Sequence, residues 1–445
     1  MINIVVIGAG SVGYNVAKTL EKENVDVMVI DIDAEKIRNI SDNLDVGVVQ
    51  GDGTSLSVLR KAEIEKADIV VVATNDDRVN MIATLMVDRL FHVRNKIVRL
   101  RDPQYYENSV LMGSSGINAT YVINPEKVTA REITNLVRIP IATNVMEFEQ
   151  GKVKIIGLKI KDKNPYVFKL LKEVDIHFLV VGLYRENELI IPSGDCKFIP
   201  GDIALFIARE EDIIPLSREM HEEYFPIKSV VIMGGGHIGK LVAKQLEKSG
   251  YNITVIERNK KNCESLSKEL KKSSIVQGDA SDIELLKEEN VFSSDCVMAL
   301  TNDQEFNILV SLLSKRMGVK RTITLINMSE YFSLAIKLGL DAIVAPKLST
   351  SSAILRFVRH EQTVSVVSIF ESAVEAIENV VRSGSYVANK LIKDIKFPRG
   401  CLVGGIIRKD EVIIPKGEDM IMPEDKLIVF TLHENLKKLK EFFDA

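Results

Sequence analysis

An α/β protein is what this chain predicts, with two doubly wound parallel sheets, each followed by a small β-rich α+β domain. Three observations carry that expectation. A glycine-rich strand–turn–helix motif occurs twice, six short apolar strands alternate with helix-length segments in each copy, and a matched pair of turn-rich segments follows the two copies.

The motif reads Val5-Val6-Ile7-Gly8-Ala9-Gly10-Ser11-Val12-Gly13, and it returns as Val231-Ile232-Met233-Gly234-Gly235-Gly236-His237-Ile238-Gly239. Each copy is an apolar strand running into G-x-G-x-x-G, the dinucleotide fingerprint of Rossmann-like sheets. In both, an acidic residue stands 18 positions past the last glycine, Asp31 (31 − 13) and Glu257 (257 − 239). The first glycine makes the turn, the second lets the backbone approach a pyrophosphate, and the third packs helix on strand. Phosphates then meet the unpaired N–H groups at the positive end of the helix. A carboxylate at Asp31 is expected to accept hydrogen bonds from ribose hydroxyls and to repel a 2′-phosphate.

The first copy predicts strands near residues 2–7, 25–30, 45–49, 68–73, 96–100 and 121–123. Behind the glycine turn, Val12, Val16, Ala17 and Leu20 fall on one face at the period of a helix packed on a sheet. The second copy predicts strands near 229–233, 252–256, 274–277, 295–300, 321–326 and 342–345. Strands alternating with helices imply a parallel, doubly wound sheet, which binds ligands at the carboxyl ends of its strands.

Further landmarks repeat at those ends. Gly51-Asp52 recurs as Gly278-Asp279, and Thr74-Asn75-Asp76 recurs as Thr301-Asn302-Asp303. Asp52 and Asp279 are candidates to accept from an adenine amino group, and Thr74, Asn75, Thr301 and Asn302 to line the floor under a phosphate or ribose. The competing reading makes all of them turn and helix-cap residues, because Asp, Asn and Thr favour those places. His237, inside the second loop, is a candidate phosphate contact or a solvent-facing loop residue.

Behind each copy, Val180 to Pro192 aligns with Val403 to Pro415, and Pro200-Gly201-Asp202 aligns with Pro423-Glu424-Asp425. Alternating apolar residues broken by polar turns predict β-rich modules. The expected division is therefore 1–124, 140–224, 227–345 and 362–445, two unlike domains repeated.

Composition narrows the function classes. Hydrophobic residues at 46% with 27% charged residues read as globular, and the net charge of −4 offers no global attraction to nucleic acid or anionic lipid. No run approaches the roughly 18 apolar residues that span a bilayer, and the first residues enter a strand directly, so the expectation is a cytosolic chain. Cys196, Cys263, Cys296 and Cys401 are scattered and read as free thiols.

The whole chain resembles the RCK domains, regulators of potassium conductance, and two tandem pairs in one chain resemble the regulators of Trk-type potassium uptake. The matching residues are Gly8 to Gly13, Asp31, Gly51-Asp52, Thr74-Asn75-Asp76, Arg99-Leu100-Arg101-Asp102-Pro103 and the Pro192 to Asp202 segment. The resemblance implies a non-enzymatic subunit, peripheral on the inner face of the cell membrane and assembled into a ring-like homo-oligomer beneath a separate potassium-translocating membrane protein. It also implies control by NAD(H) or by ATP and ADP, with Gly8 to Val12, Asp31, Thr74, Asn75 and Arg99 as contacts.

The second copy departs from the first where it reads Thr324-Leu325-Ile326-Asn327-Met328, with Thr324 set against Arg99. Arginine near a pyrophosphate offers charge-assisted, often bidentate bonds, so the two sites are expected to differ. Arg258, Lys260 and Lys261 are candidates to compensate, or lie on a solvated face. Two alternatives stay open. One is an NAD-dependent oxidoreductase, although no residue stands out as a positioned acid or base. The other is a nucleotide sensor serving another transporter.

Overall fold

The computed structural model describes residues 2–21, 25–148, 151–174, 177–186, 188–220, 225–328, 330–360, 365–368, 374–409 and 411–443. Asn187 and Asp410, inside the matched segments, lie outside them. Two compact units emerge, Met1–Arg131 with Ile326–Met328 and Val344–Val358, and Glu132–Leu325 with Ser329–Ile343 and Arg359–Ala445.

The first unit is built on β1 (Asn3–Ile7), β2 (Asp26–Asp31), β3 (Gly47–Gln50), β4 (Ile69–Val72), β5 (Asn95–Arg99) and β6 (Tyr121–Ile123). Their order is β3-β2-β1-β4-β5-β6, all parallel, so the winding order reverses between β1 and β4, the switch point at which such sheets bind ligands. Helices cover both faces, which is why β4 is buried along its whole length. On one face Ile4 and Val6 pack with Val12, Val16 and Leu20 of the helix Ser11–Glu21. The same core takes Ile354, Leu355 and Val358 from the helix Pro346–His360, which follows the second parallel sheet in the chain. Ser351 Oγ donates to the Val12 carbonyl at 3.4 Å, and Phe357 stacks on Tyr121 with ring centroids 4.8 Å apart. On the other face Val5, Ile7, Val70 and Val72 meet Ala83 and Val87 of the helix Asp77–Phe91.

The second unit begins with five antiparallel strands, β7 (Asn144–Phe148), β8 (Val153–Lys159), β9 (Leu179–Arg185), β10 (Glu188–Ile190) and β11 (Ile203–Ala208), ordered β10-β9-β11-β8-β7. Next come β12 (Ser229–Met233), β13 (Asn252–Glu257), β14 (Ser274–Gln277), β15 (Cys296–Ala299), β16 (Arg321–Leu325) and β17 (Ala342–Val344), which repeat the first sheet as β14-β13-β12-β15-β16-β17. Thr134, on the helix Pro125–Arg138 that leaves the first sheet, donates from Oγ1 to Gln245 Oε1 at 2.8 Å. The buried Arg321 guanidinium donates to the Ala142 carbonyl.

The last module contains β18 (Ser365–Ser368), β19 (Val374–Val380), β20 (Lys390–Leu391), β21 (Cys401–Arg408), β22 (Glu411–Ile413), β23 (Met420–Ile421) and β24 (Lys426–Leu432). Five of these strands are ordered β18-β19-β24-β21-β22, and β20 pairs with β23. Both β-rich modules bury their inner faces in one core, Val153, Ile155, Leu205 and Ile207 meeting Val374, Ala376, Ile428 and Phe430. A Cβ on Gly404 would lie 2.3 Å from Phe430 Cε2, so this contact excludes any side chain there. Each module carries the same ion pair. Arg185 donates to both Asp202 oxygens at 2.9 and 2.6 Å, and Arg408 to both Asp425 oxygens at 2.9 and 2.8 Å. These bidentate bonds satisfy two buried carboxylates.

The predicted fold class is the observed one, two Rossmann-like doubly wound sheets with a small β-rich module behind each. The four cysteines are free thiols. One alignment is corrected. Asn80 Nδ2 donates to the Arg99 carbonyl and Asn307 Nδ2 to the Leu325 carbonyl, so Leu325, not Thr324, occupies the place of Arg99. The two copies stand 226 residues apart at β1 and β12 (230 − 4), 227 at β4 and β15 (296 − 69) and 226 again at β5 and β16 (321 − 95), which sets Leu325 against Arg99 (325 − 99 = 226).

Candidate nucleotide sites

At the carboxyl end of β1 the chain turns through Gly8, whose φ of +111° lies in the region that side chains disfavour. A Cβ there would also lie 2.9 Å from the Ala73 carbonyl group and the Thr74 nitrogen. Gly234, with φ +104°, meets Leu300 and Thr301 in the same way. Gly13 and Gly239 sit in the first turn of their helices, where a Cβ would fall 1.8 and 2.0 Å from the carbonyl oxygens of Gly8 and Gly234. Gly10 and Gly236 differ from these. Nothing lies within 4 Å of a Cβ built on either, so the middle glycine of each loop faces open space. Ser11 and His237 start the two helices and are exposed, whereas Val12 is buried against the sheet and Ile238 is half-buried.

The acidic residues clamp these loops. Asp31 Oδ2 accepts from the Ala9 N–H at 2.6 Å and Oδ1 from the Asp33 N–H at 2.9 Å. Glu257 Oε2 accepts from the Gly235 N–H and Oε1 from the Asn259 N–H, each at 2.7 Å. A carboxylate has about four lone-pair positions, so each retains acceptor capacity. Asp52 and Asp279 close their own turns. Asp52 Oδ1 accepts from the Thr54 N–H and hydroxyl, Asp279 Oδ1 from those of Ser281, and these bonds hold both carboxyls below the usual range. No hydrogen bond joins either to the glycine loops among the described residues.

Thr74 and Thr301 are each held by an asparagine absent from the sequence-based list. Asn80 Oδ1 accepts from the Thr74 N–H at 3.0 Å and from its hydroxyl at 2.6 Å, while Nδ2 donates to the carbonyls of Thr74 and Arg99. Asn307 does the same for Thr301 and Leu325. Both asparagines are fully buried. The signal was present, because each stands six residues past its threonine (80 − 74, 307 − 301) on a helix capped by Asp76 or Asp303. Asn302 is exposed, and Asn75 is exposed with its Oδ1 accepting from Arg99 Nη1 at 3.2 Å.

Arg99 also donates from Nη1 to the Thr74 carbonyl at 2.6 Å, while its buried Nε has no partner. Burial, then the neighbouring Arg101 charge, lowers its pKa, and an arginine still keeps its proton. A cationic side chain at this strand end, beside an open glycine loop, suits an anionic group. The first site therefore suits the phosphates of a nucleotide. At the second site the apolar Leu325 takes that place.

Comparison with known proteins agrees with this geometry. The TrkA-N domain pattern matches residues 4–125 and 230–346, and the TrkA-C domain pattern matches 377–444. The chain is 34% identical over 440 residues to the Trk system potassium uptake protein TrkA of Vibrio alginolyticus, spanning 97% of this chain and 96% of that one. This chain belongs to the TrkA family. Another TrkA relative, from Halomonas elongata, is 35% identical over 437 residues, spanning 96% of this chain and 95% of its own. A TrkA homolog from Archaeoglobus fulgidus is 33% identical over 445 residues, with 99% of each chain covered. Among solved structures, the GsuK channel bound to NAD superposes with a TM-score of 0.62 at 18% identity, covering 99% of this chain and 79% of that one. The GsuK RCK domain gives 0.61 at 18%, covering 99% and 95%. At that identity the superposition shows a shared fold.

Proposed function

We propose that this TrkA-family chain is a cytosolic regulatory subunit of a potassium uptake system, peripheral to the membrane, which gates a separate potassium-translocating subunit in response to NAD(H) or to ATP and ADP. The observation that carries the reading is the duplicated cradle, two glycine loops whose middle glycine faces open space, in a chain whose relatives are named for Trk potassium uptake. Among the described residues no helix is long and apolar enough to cross a membrane, and on this reading the translocating path is assigned to a partner.

The nucleotide contacts are assigned to Gly8 to Gly13, Asp31, Asp52, Thr74, Asn75 and Arg99, and to Gly234 to Gly239, Glu257, Asp279, Thr301 and Asn302. Asn80 and Asn307 hold the floors from behind. Binding acts by biasing a two-state equilibrium. Reversing such an equilibrium from 1:99 to 99:1 takes about 5.5 kcal/mol of differential binding, and one site couples by about 1–3 kcal/mol. Two sites per chain, multiplied by self-assembly, reach that range. Support for self-assembly comes from matching exposed side chains, Ile82 and Leu90 on or beside the helix Asp77–Phe91, and Leu309 and Met317 on or beside the helix Gln304–Arg316. We assign a ring-like homo-oligomer to these faces.

Proteoliposomes test the reading. With the membrane partner alone, potassium flux is insensitive to nucleotide, and adding this chain confers sensitivity. Replacing Gly10 and Gly236 together by Val leaves assembly intact, since both sites have room for a side chain, and abolishes the response. A full response in an assembled double variant refutes the assignment. Steady NADH consumption with small carbonyl compounds supports an oxidoreductase instead.

A further inference from the structure

The two cradles carry their positive charge at opposite ends. In the first, the cation is Arg99 on the floor at the end of β5, and the rim behind the acidic residue reads Asp31-Ile32-Asp33-Ala34-Glu35. Ile32 is 70% exposed, and that rim is net negative. In the second, the floor position holds Leu325, and the same rim reads Glu257-Arg258-Asn259-Lys260-Lys261, net positive. Arg258, Lys260 and Lys261 are exposed and make no ion pair among the described residues.

The carboxylate that excludes a ribose phosphate is also placed differently. Glu257 is only 8% exposed, tucked under the loop so that a Cβ on Gly235 would touch its Cβ at 3.1 Å. Asp31 is half-buried. After the Ser281 turn bonds, the Arg258 charge also helps to hold the Asp279 carboxyl down, whereas the Thr54 turn bonds hold down that of Asp52. In sheets of this type the end of the second strand faces the adenosine ribose, and an arginine there accommodates a ribose phosphate.

We propose that the second site selects an adenine nucleotide carrying an extra phosphate on the adenosine ribose, read by Arg258 with Lys260 and Lys261, while the first selects nucleotides without one. This deepens, and rests on, the nucleotide reading above. Glu257 holds the Gly235 and Asn259 N–H groups as Asp31 holds those of Ala9 and Asp33, and what distinguishes it is its deeper burial beside a rim of positive charge.

Calorimetric titration of the full chain tests this with 5′-ADP, 2′,5′-ADP and 3′,5′-ADP as probes, first in a Gly10→Val background that silences the first loop. One of the two ribose-phosphorylated probes binds at one per chain, at least about tenfold tighter than 5′-ADP, the scale of a hydrogen bond to a charged group. The preferred isomer identifies a 2′- or a 3′-phosphate. Arg258→Ile removes the preference, and in the chain with Gly10 intact it leaves 5′-ADP binding at the first site unchanged. The proposal is overturned if neither isomer outbinds 5′-ADP, or if the preference survives Arg258→Ile. Silence towards all three probes in the chain with both loops intact overturns the nucleotide reading itself.

Discussion

The Ala9 N–H donates to Asp31 Oδ2 at 2.6 Å, tying the glycine loop to the end of the neighbouring strand. The acidic residue of the fingerprint thus shapes the loop. The equivalent bond joins Gly235 to Glu257.

Asp31→Ala removes both that anchor and the acceptor offered to ribose. Nucleotide affinity at the first site falls by roughly 1–3 kcal/mol, the scale of a lost hydrogen bond to a charged group. Titration of the full chain with 5′-ADP measures it, and unchanged affinity would take Asp31 out of the site.

Arg99→Ala separates phosphate recognition from packing. On the proposed assignment its guanidinium meets the phosphates through charge-assisted bonds. Affinity for ATP drops more than affinity for adenosine. Equal losses for the two ligands would make Arg99 a structural residue that only holds Thr74 and Asn75.

Asn80→Ala strands the Thr74 and Arg99 backbone groups and the Thr74 hydroxyl in a buried setting. Each group left unsatisfied costs about 1–3 kcal/mol, so the urea midpoint falls by an amount well above the error of the measurement. Asn307→Ala weakens the second sheet in the same way. Asn80→Asp restores part of the loss, because its carboxylate still accepts from Thr74, and no rescue would point to a different role.

Acid should loosen the second parallel sheet through Glu247. The Lys271 N–H, foremost, and then the Ser273 hydroxyl hold its carboxyl at about 2, below the ordinary 4.5. A carboxyl depressed in the folded state stabilises fully above its unfolded value and loses that contribution as pH falls towards the folded one. The contribution therefore vanishes between about pH 4.5 and 2. Glu247→Gln flattens the urea midpoint over this window, and an unaltered profile would show that the carboxylate does not matter.

The sequence alone determined the repeated sheets, the glycine loops and the place of the acidic residues behind them, because each is written in short-range pattern, whereas the bonds by which those residues hold the loops came from the structure. Six short apolar strands, helices of period 3.6 and a six-residue turn are local patterns, and a second copy of each removed most of the chance in reading them. What faces what across the chain was decided by tertiary structure. Leu325 rather than Thr324 takes the place of Arg99, which the strand pairing and the two asparagine bonds decide. Asn80 looked like one polar residue on a helix until the fold brought the Arg99 carbonyl to it. Ser351 meets Val12 across 339 residues of chain, and Thr134 meets Gln245 across 111. Helical periodicity makes an apolar face but does not name the surface that covers it, and packing chose a distant sheet for the helix Pro346–His360.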